Sequence, residues 1–464
     1  MNLKLCDFTV PEEYSHVIRK NINILNDLEN INTISAYANF IYKNLGVEKK
    51  IIFLFIKKIL ITEHEYKLSK GMKFVRIPFT IYFILRVFHG SFLSLVSYDR
   101  KNNYDVLIDE WYEGSLKSFY YFSDSEIRKN KFKSLNITTL SKFLCRDFFK
   151  IIIMFIKSNF YIKKIKKELH INFDILNMLL VFNTYSGKYI KYKFQPKVIL
   201  SGNDNGFPFI KSKVSGAKLL TIQNGIRTIE SDANYSYADI YFSLTSKSTC
   251  NLRIYGGCLF NEIIELGSLR LSEFLKNKFE SKFSFDIIYV GSFIDSSSFD
   301  ENMSHYFSYK KNETENIKAF NLIASEYKNL KIAYFPKYNN ELDTLKKYNL
   351  ISENICYIDR NSMNVYEAIS SAKIVLTSFS TAAVESLALG KKIGFINLSG
   401  NSDLNTHFHS EDIEFKIKNY VKDDLIQFIS KLQLSDILVD KYIVQSIYAK
   451  EKILNIIERE LCDK

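Results

Sequence analysis

The strongest constraint on this chain is a rhythm. Short apolar, β-branched runs recur, and each stops at glycine or at small polar residues. In the first half these are YDVLIDEWYEG from Tyr104, KVILSGNDNG from Lys197, AKLLTIQNG from Ala217 and ADIYFSLTS from Ala238. In the second half they are FDIIYVGS (285–292), LKIAYFPK (330–337), ICYID (355–359), AKIVLTS (372–378) and KIGFINL (392–398). Runs that are apolar at nearly every position suit strands buried on both faces, as in parallel sheets. Helical stretches lie between them, notably 315–328, 364–371 and 381–389. The alternation predicts α/β architecture. It occurs twice, on either side of a polar, charged stretch at 266–284 that reads as a linker. A chain of 464 residues also exceeds what one core usually serves. The expected domains are 1–270 and 280–440, with 441–464 a closing helix that can cross back to the first domain.

The remaining segments are less regular. Residues 14–46 and 423–460 read as helical, and 139–190 reads as a long helical stretch. Residues 51–62 and 79–87 suit either strands or buried helices.

Charge narrows the partners. The net charge is +12. A basic balance suits an anionic membrane surface or a phosphorylated substrate, and no nucleic-acid-binding signature accompanies it. Lys157, Lys163, Lys164, Lys166 and Lys167 lie beside the apolar run Phe148 to Phe155, a combination suited to a headgroup layer. The six cysteines form no CxxC pair, so neither a zinc knuckle nor a redox pair is expected. The N-terminus lacks the apolar stretch of a signal peptide, and the apolar runs are too short to span a bilayer. The expected location is the cytoplasm, peripheral at the inner face of its membrane.

In open parallel sheets ligands bind beyond the carboxyl ends of the strands. The sharpest motif there is LTSFSTAAVESLALGKKIGFINL, 376–398. Ser378, Ser380 and Thr381 open a helix whose N–H groups could hold a phosphate, and Glu385 follows within reach of ribose hydroxyls. The same pattern suits an ordinary capped helix. Asp204, in SGNDNG, and Glu110, after Asp109, are the candidate catalytic carboxylates, either as a base or as a nucleophile with an acid/base partner. Asp204 also suits an Asx turn, and Glu110 a solvated loop. Arg227 and Arg360 could pair with phosphate or carboxylate, or form plain salt bridges. Trp111, the single tryptophan, could stack on a sugar or pack on the sheet. His407 and His409 form an HxH that suits a solvated loop better than a metal, and no metal site is expected.

The segment NVYEAISSAKIVLTSFSTAAVESLALGKKIGFI resembles the donor-binding signature of GT-B glycosyltransferases. The likeness is to bacterial surface-polysaccharide enzymes: the Kdo-transferase, sialyltransferase and CDP-glycerol transferase groups. LKIAYFPKY resembles a strand-loop of the same enzymes, with Phe335 where His is common and Pro336 and Lys337 retained. Gly291 and Ser292 resemble the first turn of their donor domain. LGSLRLSEF resembles its opening, with Leu269 for proline and Ser272 for Asp. TIQNGIRT resembles their QHG turn, with Asn224 in the His position. Gln-Asn-Gly is also the wording of surface carbohydrate biosynthesis proteins. Asp204 and Glu110 resemble the Asp and Glu pair of retaining Kdo-transferases.

The resemblance implies a GT-B-like fold of two facing Rossmann-type domains with a cleft between them. It implies a metal-independent glycosyltransferase whose nucleotide sugar is a co-substrate, with no resident cofactor. Ser378, Ser380, Thr381, Glu385, Pro336, Lys337, Gly291, Ser292 and Arg360 would bind the donor. Gln223, Asn224, Arg227 and Trp111 would meet the acceptor or sugar. The acceptor would be a polysaccharide or lipid-linked glycan of a lipopolysaccharide, O-antigen or capsule, and a Kdo- or sialic-type acid is a candidate sugar. Two other readings stay open: a nucleotide-sugar epimerase of double-Rossmann build, and a non-catalytic sugar-binding scaffold of envelope biosynthesis.

Overall fold

The computed structural model describes residues 29–68, 79–96, 103–109, 132–137, 140–169, 174–202, 208–223, 236–245, 258–277, 284–292, 308–378, 380–398, 414–415, 421–434 and 447–462, with Gly225, Phe279 and Ile294 singly. The first half opens with helices α1 (Asn32–Leu45), α2 (Lys49–Leu68) and α3 (Phe79–Val96). Strands β1 (Val106–Asp109) and β2 (Phe132–Leu135) follow, then helices α4 (Phe148–Leu169) and α5 (Asp174–Lys193). The half continues with β3 (Val198–Ser201), α6 (Pro208–Ser215), β4 (Lys218–Ile222), β5 (Tyr237–Ser243), β6 (Leu259–Glu265) and α7 (Leu269–Lys276). The ambiguous segments at 51–62 and 79–87 are thus helical. The helical stretch at 139–190 holds two helices, α4 and α5. The segment expected as linker contains α7, whose start Ser268 caps by accepting from Leu271 N at 3.3 Å.

The second half runs β7 (Phe285–Val290), α8 (Ser308–Glu326), β8 (Ile332–Phe335), α9 (Glu341–Lys347), β9 (Ile355–Tyr357), α10 (Val365–Ser370) and β10 (Ala372–Thr377). It ends with α11 (Thr381–Glu385), prolonged by a 3-10 turn over Ser386–Leu389, then β11 (Lys392–Ile396), β12 (Glu414–Phe415), α12 (Lys422–Leu434) and α13 (Ala449–Cys462).

The strands form two six-stranded sheets, parallel throughout. The architecture is therefore α/β, with two Rossmann-type halves of GT-B-like build. The second sheet is ordered β9-β8-β7-β10-β11-β12, so its strand order reverses between β7 and β10. The first is ordered β2-β1-β3-β4-β5-β6 and reverses between β1 and β3. At such a reversal the connections leave toward opposite faces and open a crevice at the carboxyl edge.

The central strands are buried along their length, as their composition requires. In β1, Leu107 faces a core shared with α1 to α5, while Val106 and Ile108 face another. That second core is closed by Ala449, Ile453 and Ile457 of α13, which lies against the first sheet. The second sheet packs between its own helices around Ile287, Tyr289, Ile374 and Phe395.

A buried carboxylate sits at the first reversal. Asp109, at the end of β1, accepts from Ile137 N at 2.8 Å and from Ser201 Oγ, at the end of β3, at 2.9 Å. The Lys211 amine, fully buried on α6, donates to the Ile137 carbonyl. Burial pushes that amine down to about 7, against the pull of Asp109. Replacing Asp109 by alanine strips an acceptor from two buried donors and a counter-charge from a buried amine. Asp109→Ala should therefore lower stability by about 3 kcal/mol, and Asp109→Asn by less, measured as the shift of the urea midpoint.

Candidate functional site

The reversal of the second sheet is built from hydroxyls. Ser292 follows β7 and Ser378 follows β10, and their Oγ atoms lie 2.7 Å apart. Just beneath, Thr377 Oγ1 donates to the Val290 carbonyl at 2.8 Å, tying the two strand ends together. Both serines are buried.

A carboxylate underlies this pair. Glu313 of α8 accepts from Ser292 N at 2.8 Å, from the Tyr289 hydroxyl at 3.1 Å and from the Ser378 hydroxyl. Burial pushes Glu313 upward, and its three donors and the charge of Lys337 oppose that shift. A second buried acid lies alongside. Glu341, opening α9, accepts from the Tyr334 hydroxyl at 3.0 Å and from Tyr338 N at 2.9 Å. Burial pushes it up to about 7. Tyr289 and Tyr334 stack at 5.8 Å, linking the two acids. Gly291 passes directly over Tyr334: an added Cβ would come within 2.5 Å of its hydroxyl oxygen. Only glycine suits that approach.

Lys337 and Pro336 follow β8 at the same edge. The Arg360 guanidinium lies over the Phe335 ring at 5.2 Å and donates to the Pro336 and Lys337 carbonyls at 3.0 and 2.5 Å. Arg360 thus braces the loop that carries Lys337. Ser380 stands at the N-cap of α11 with its side chain unused for capping, and Thr381 follows it.

Glu385 has a different setting. It is buried, and it accepts from the Tyr366 hydroxyl at 2.6 Å. Ser268, at the start of α7, also hydrogen-bonds it, and Arg270 lies near enough to favour its charge. Burial still holds its carboxyl above the usual range. The Phe274 ring of α7 packs on Tyr366 at 5.6 Å. Glu385 therefore joins α7 to the second sheet's carboxyl edge.

In the first half, Gln223 is buried after β4. Its amide donates to the Gly225 carbonyl at 2.8 Å and accepts from Leu244 N at 2.8 Å, which fixes the ends of β4 and β5 together. Asp204, Glu110, Asn224, Arg227 and Trp111 lie outside the described residues, as do His407 and His409. Their described neighbours Asp109 and Ser201 meet at the first sheet's reversal.

The structure thus brings Gly291, Ser292, Ser378, Pro336, Lys337 and Arg360 to one sheet edge. Sequence reasoning missed Glu313 and Glu341. A signal for Glu313 exists: it shares a helical face with Ile317, Phe320 and Ala324, all buried, so an acid stands in the apolar stripe.

No protein-family model and no curated protein sequence matches the chain. Among solved structures it is similar to the S. aureus MnaA–UDP co-structure. Identity is 12%, coverage 78% of this chain and 97% of that one, and TM-score 0.46. It is similar to a Methanocaldococcus jannaschii UDP-GlcNAc 2-epimerase in complex with UDP-GlcNAc and UDP. There, identity is 15%, coverage 77% and 99%, and TM-score 0.45. It is also similar to a variant of the wall teichoic acid polymerase TagF, with 13% identity, coverage of 88% and 98%, and TM-score 0.45.

Glu341 gives the site a pH signature. Its carboxyl titrates near 4.5 when unfolded and about 7 when folded. Between those values the folded chain holds a proton that the unfolded chain has released. Stability should therefore fall as pH rises through this window and level off above about 7. Glu341→Gln removes the titration while its amide oxygen still accepts from Tyr338 N and its NH2 can donate to the Tyr334 hydroxyl oxygen. It should flatten the pH 5–7 slope of the denaturation midpoint.

Proposed function

We propose that the chain is a nucleotide-sugar enzyme of GT-B type, a glycosyltransferase that moves a sugar to a surface polysaccharide or glycolipid acceptor in the cytoplasm. One observation carries this reading: the strand order of the second sheet reverses between β7 and β10, and paired hydroxyls of Ser292 and Ser378 stand at that point. Ligands of open α/β sheets lodge there.

In this reading the donor's phosphate lies outside the serine pair, near Ser380 and Thr381. Lys337 and Arg360 offset the charge that develops on the departing nucleotide. Glu313 lies inside the pair and fixes it. Glu385 supports the site through Tyr366 and Ser268, and its reach toward a ribose requires that joint to open. Asp204 and Glu110 follow Ser201 and Asp109 at the other reversal and serve as base or nucleophile with acid/base partner. Gln223, Asn224, Arg227 and Trp111 line the acceptor side. The nucleotide sugar is a co-substrate, and the cationic residues take the part a metal would play. A Kdo- or sialic-type sugar remains the favoured donor class, on the sequence resemblance.

A calorimetric panel of CMP, CDP, UDP and GDP tests the donor site. The Ser292→Ala, Ser378→Ala double variant should bind the preferred nucleotide at least about tenfold more weakly, with its circular dichroism unchanged. Unchanged affinity would overturn the assignment. Turnover separates the rival activities. Nucleotide released only with acceptor present supports the transferase. Sugar interconverted without acceptor makes the protein an epimerase, and binding without turnover makes it a scaffold.

A further inference from the structure

Helices α3 and α4 each carry a second apolar face, turned to solvent. Along α4, Phe149, Ile153, Ile156 and Phe160 fall at helical spacing, and each is half exposed or more, Phe149 reaching 74%. The opposite side of α4, with Ile151, Met154, Phe155, Ile162 and Ile165, fills the core. Along α3, Leu85, Phe88 and Phe92 are likewise more than half exposed, while Phe83 and Val87 point inward. The two helices are neighbours: Phe83 and Phe155 stack at 3.7 Å. Scattered exposed apolar residues need no explanation, but a helically spaced set on each of two neighbouring helices does.

The charge beside this face selects its occupant. Lys150, Lys157 and Lys164 repeat every seven residues along α4, and Lys163, Lys166 and Lys167 extend the basic end, all exposed. Neither helix carries an acid before Glu168. Lys164 lies over the Phe160 ring at 4.5 Å, a cation at the rim of the apolar stripe. Lys150 pairs with Asp147 at 3.5 Å, and a protein partner with a flat apolar surface would not call for the rest of the exposed row, Lys157, Lys163, Lys164, Lys166 and Lys167. An anionic lipid surface does, because acyl chains receive the aromatic and aliphatic side chains while phosphates meet the ammonium groups. Among the described residues no helix is long and apolar enough to cross a membrane, so the face would lie on the bilayer and not span it.

We infer that the outer faces of α3 and α4 form a docking surface for an anionic phospholipid bilayer. The inference stands apart from the donor-site reading, since it uses no residue of that site.

The test is co-sedimentation of the full chain with vesicles of phosphatidylcholine alone or mixed with phosphatidylglycerol. The chain should pellet with the anionic vesicles and be released by rising salt. Phe88→Ser, Ile153→Ser and Ile156→Ser combined should lower the partition at least about tenfold. Lys157→Glu with Lys164→Glu should lower it by about fivefold per lysine or more. Should the triple variant fold poorly, Ile156→Trp in a Trp111→Phe background reads the same face in a near-native chain. Its emission should shift to the blue on vesicle addition. A chain left in the supernatant at low salt, or one that pellets with no shift at position 156, overturns the inference. So does a self-associated chain that binds no vesicles and that the triple variant renders monomeric.

Discussion

Both halves of this protein depend on one requirement: buried donors at the carboxyl edge of a parallel sheet need acceptors. Where the strand order reverses, the two neighbouring chains part toward opposite faces, and the last N–H and hydroxyl groups lose ladder partners. In each sheet a buried carboxylate meets that need. Asp109, on the strand itself, gathers Ile137 and Ser201 in the first. Glu313, reaching from a flanking helix, gathers Tyr289, Ser292 and Ser378 in the second. The arrangement holds the edge in one geometry before any ligand arrives, which is the condition for electrostatic preorganisation.

The acids that build the edge are distinct from those expected to act at it. Glu313 and Glu341 sit among tyrosines and are shifted upward by burial, so their first task is structural. Arg360 shows the same division, because it braces the loop of Pro336 and Lys337 through their carbonyls. Glu385 is likewise held by Tyr366 and Ser268 at the contact between α7 and the second domain. Residues with the right chemistry for a ligand are thus shared between holding the scaffold and meeting the substrate.

The parallel strands were legible because burial on both faces writes itself as an unbroken apolar run. The strand ends were legible for the same reason, which placed Ser292, Ser378 and Lys337 together. Among the edge strands, ICYID marked β9, but β2 and β6 were not legible. In β2 and β6 burial alternates or is partial, and LFNEIIE carries two acids, so no apolar run marks them. Helix α7 was read as linker because its eight residues are rich in charge, although Leu269 and Leu271 are buried. Buried acids escaped notice because composition places charge at the surface. Only the register of Glu313 with its apolar neighbours betrays it.

Helix α13 closes a core that belongs to the first sheet. Ile453 and Ile457 cover Val106, Val198 and Leu220, hundreds of residues earlier. On the ribosome, one side of the first sheet must stay uncovered while the whole second domain is made. A nascent chain therefore carries a bare apolar surface on that sheet until α13 emerges.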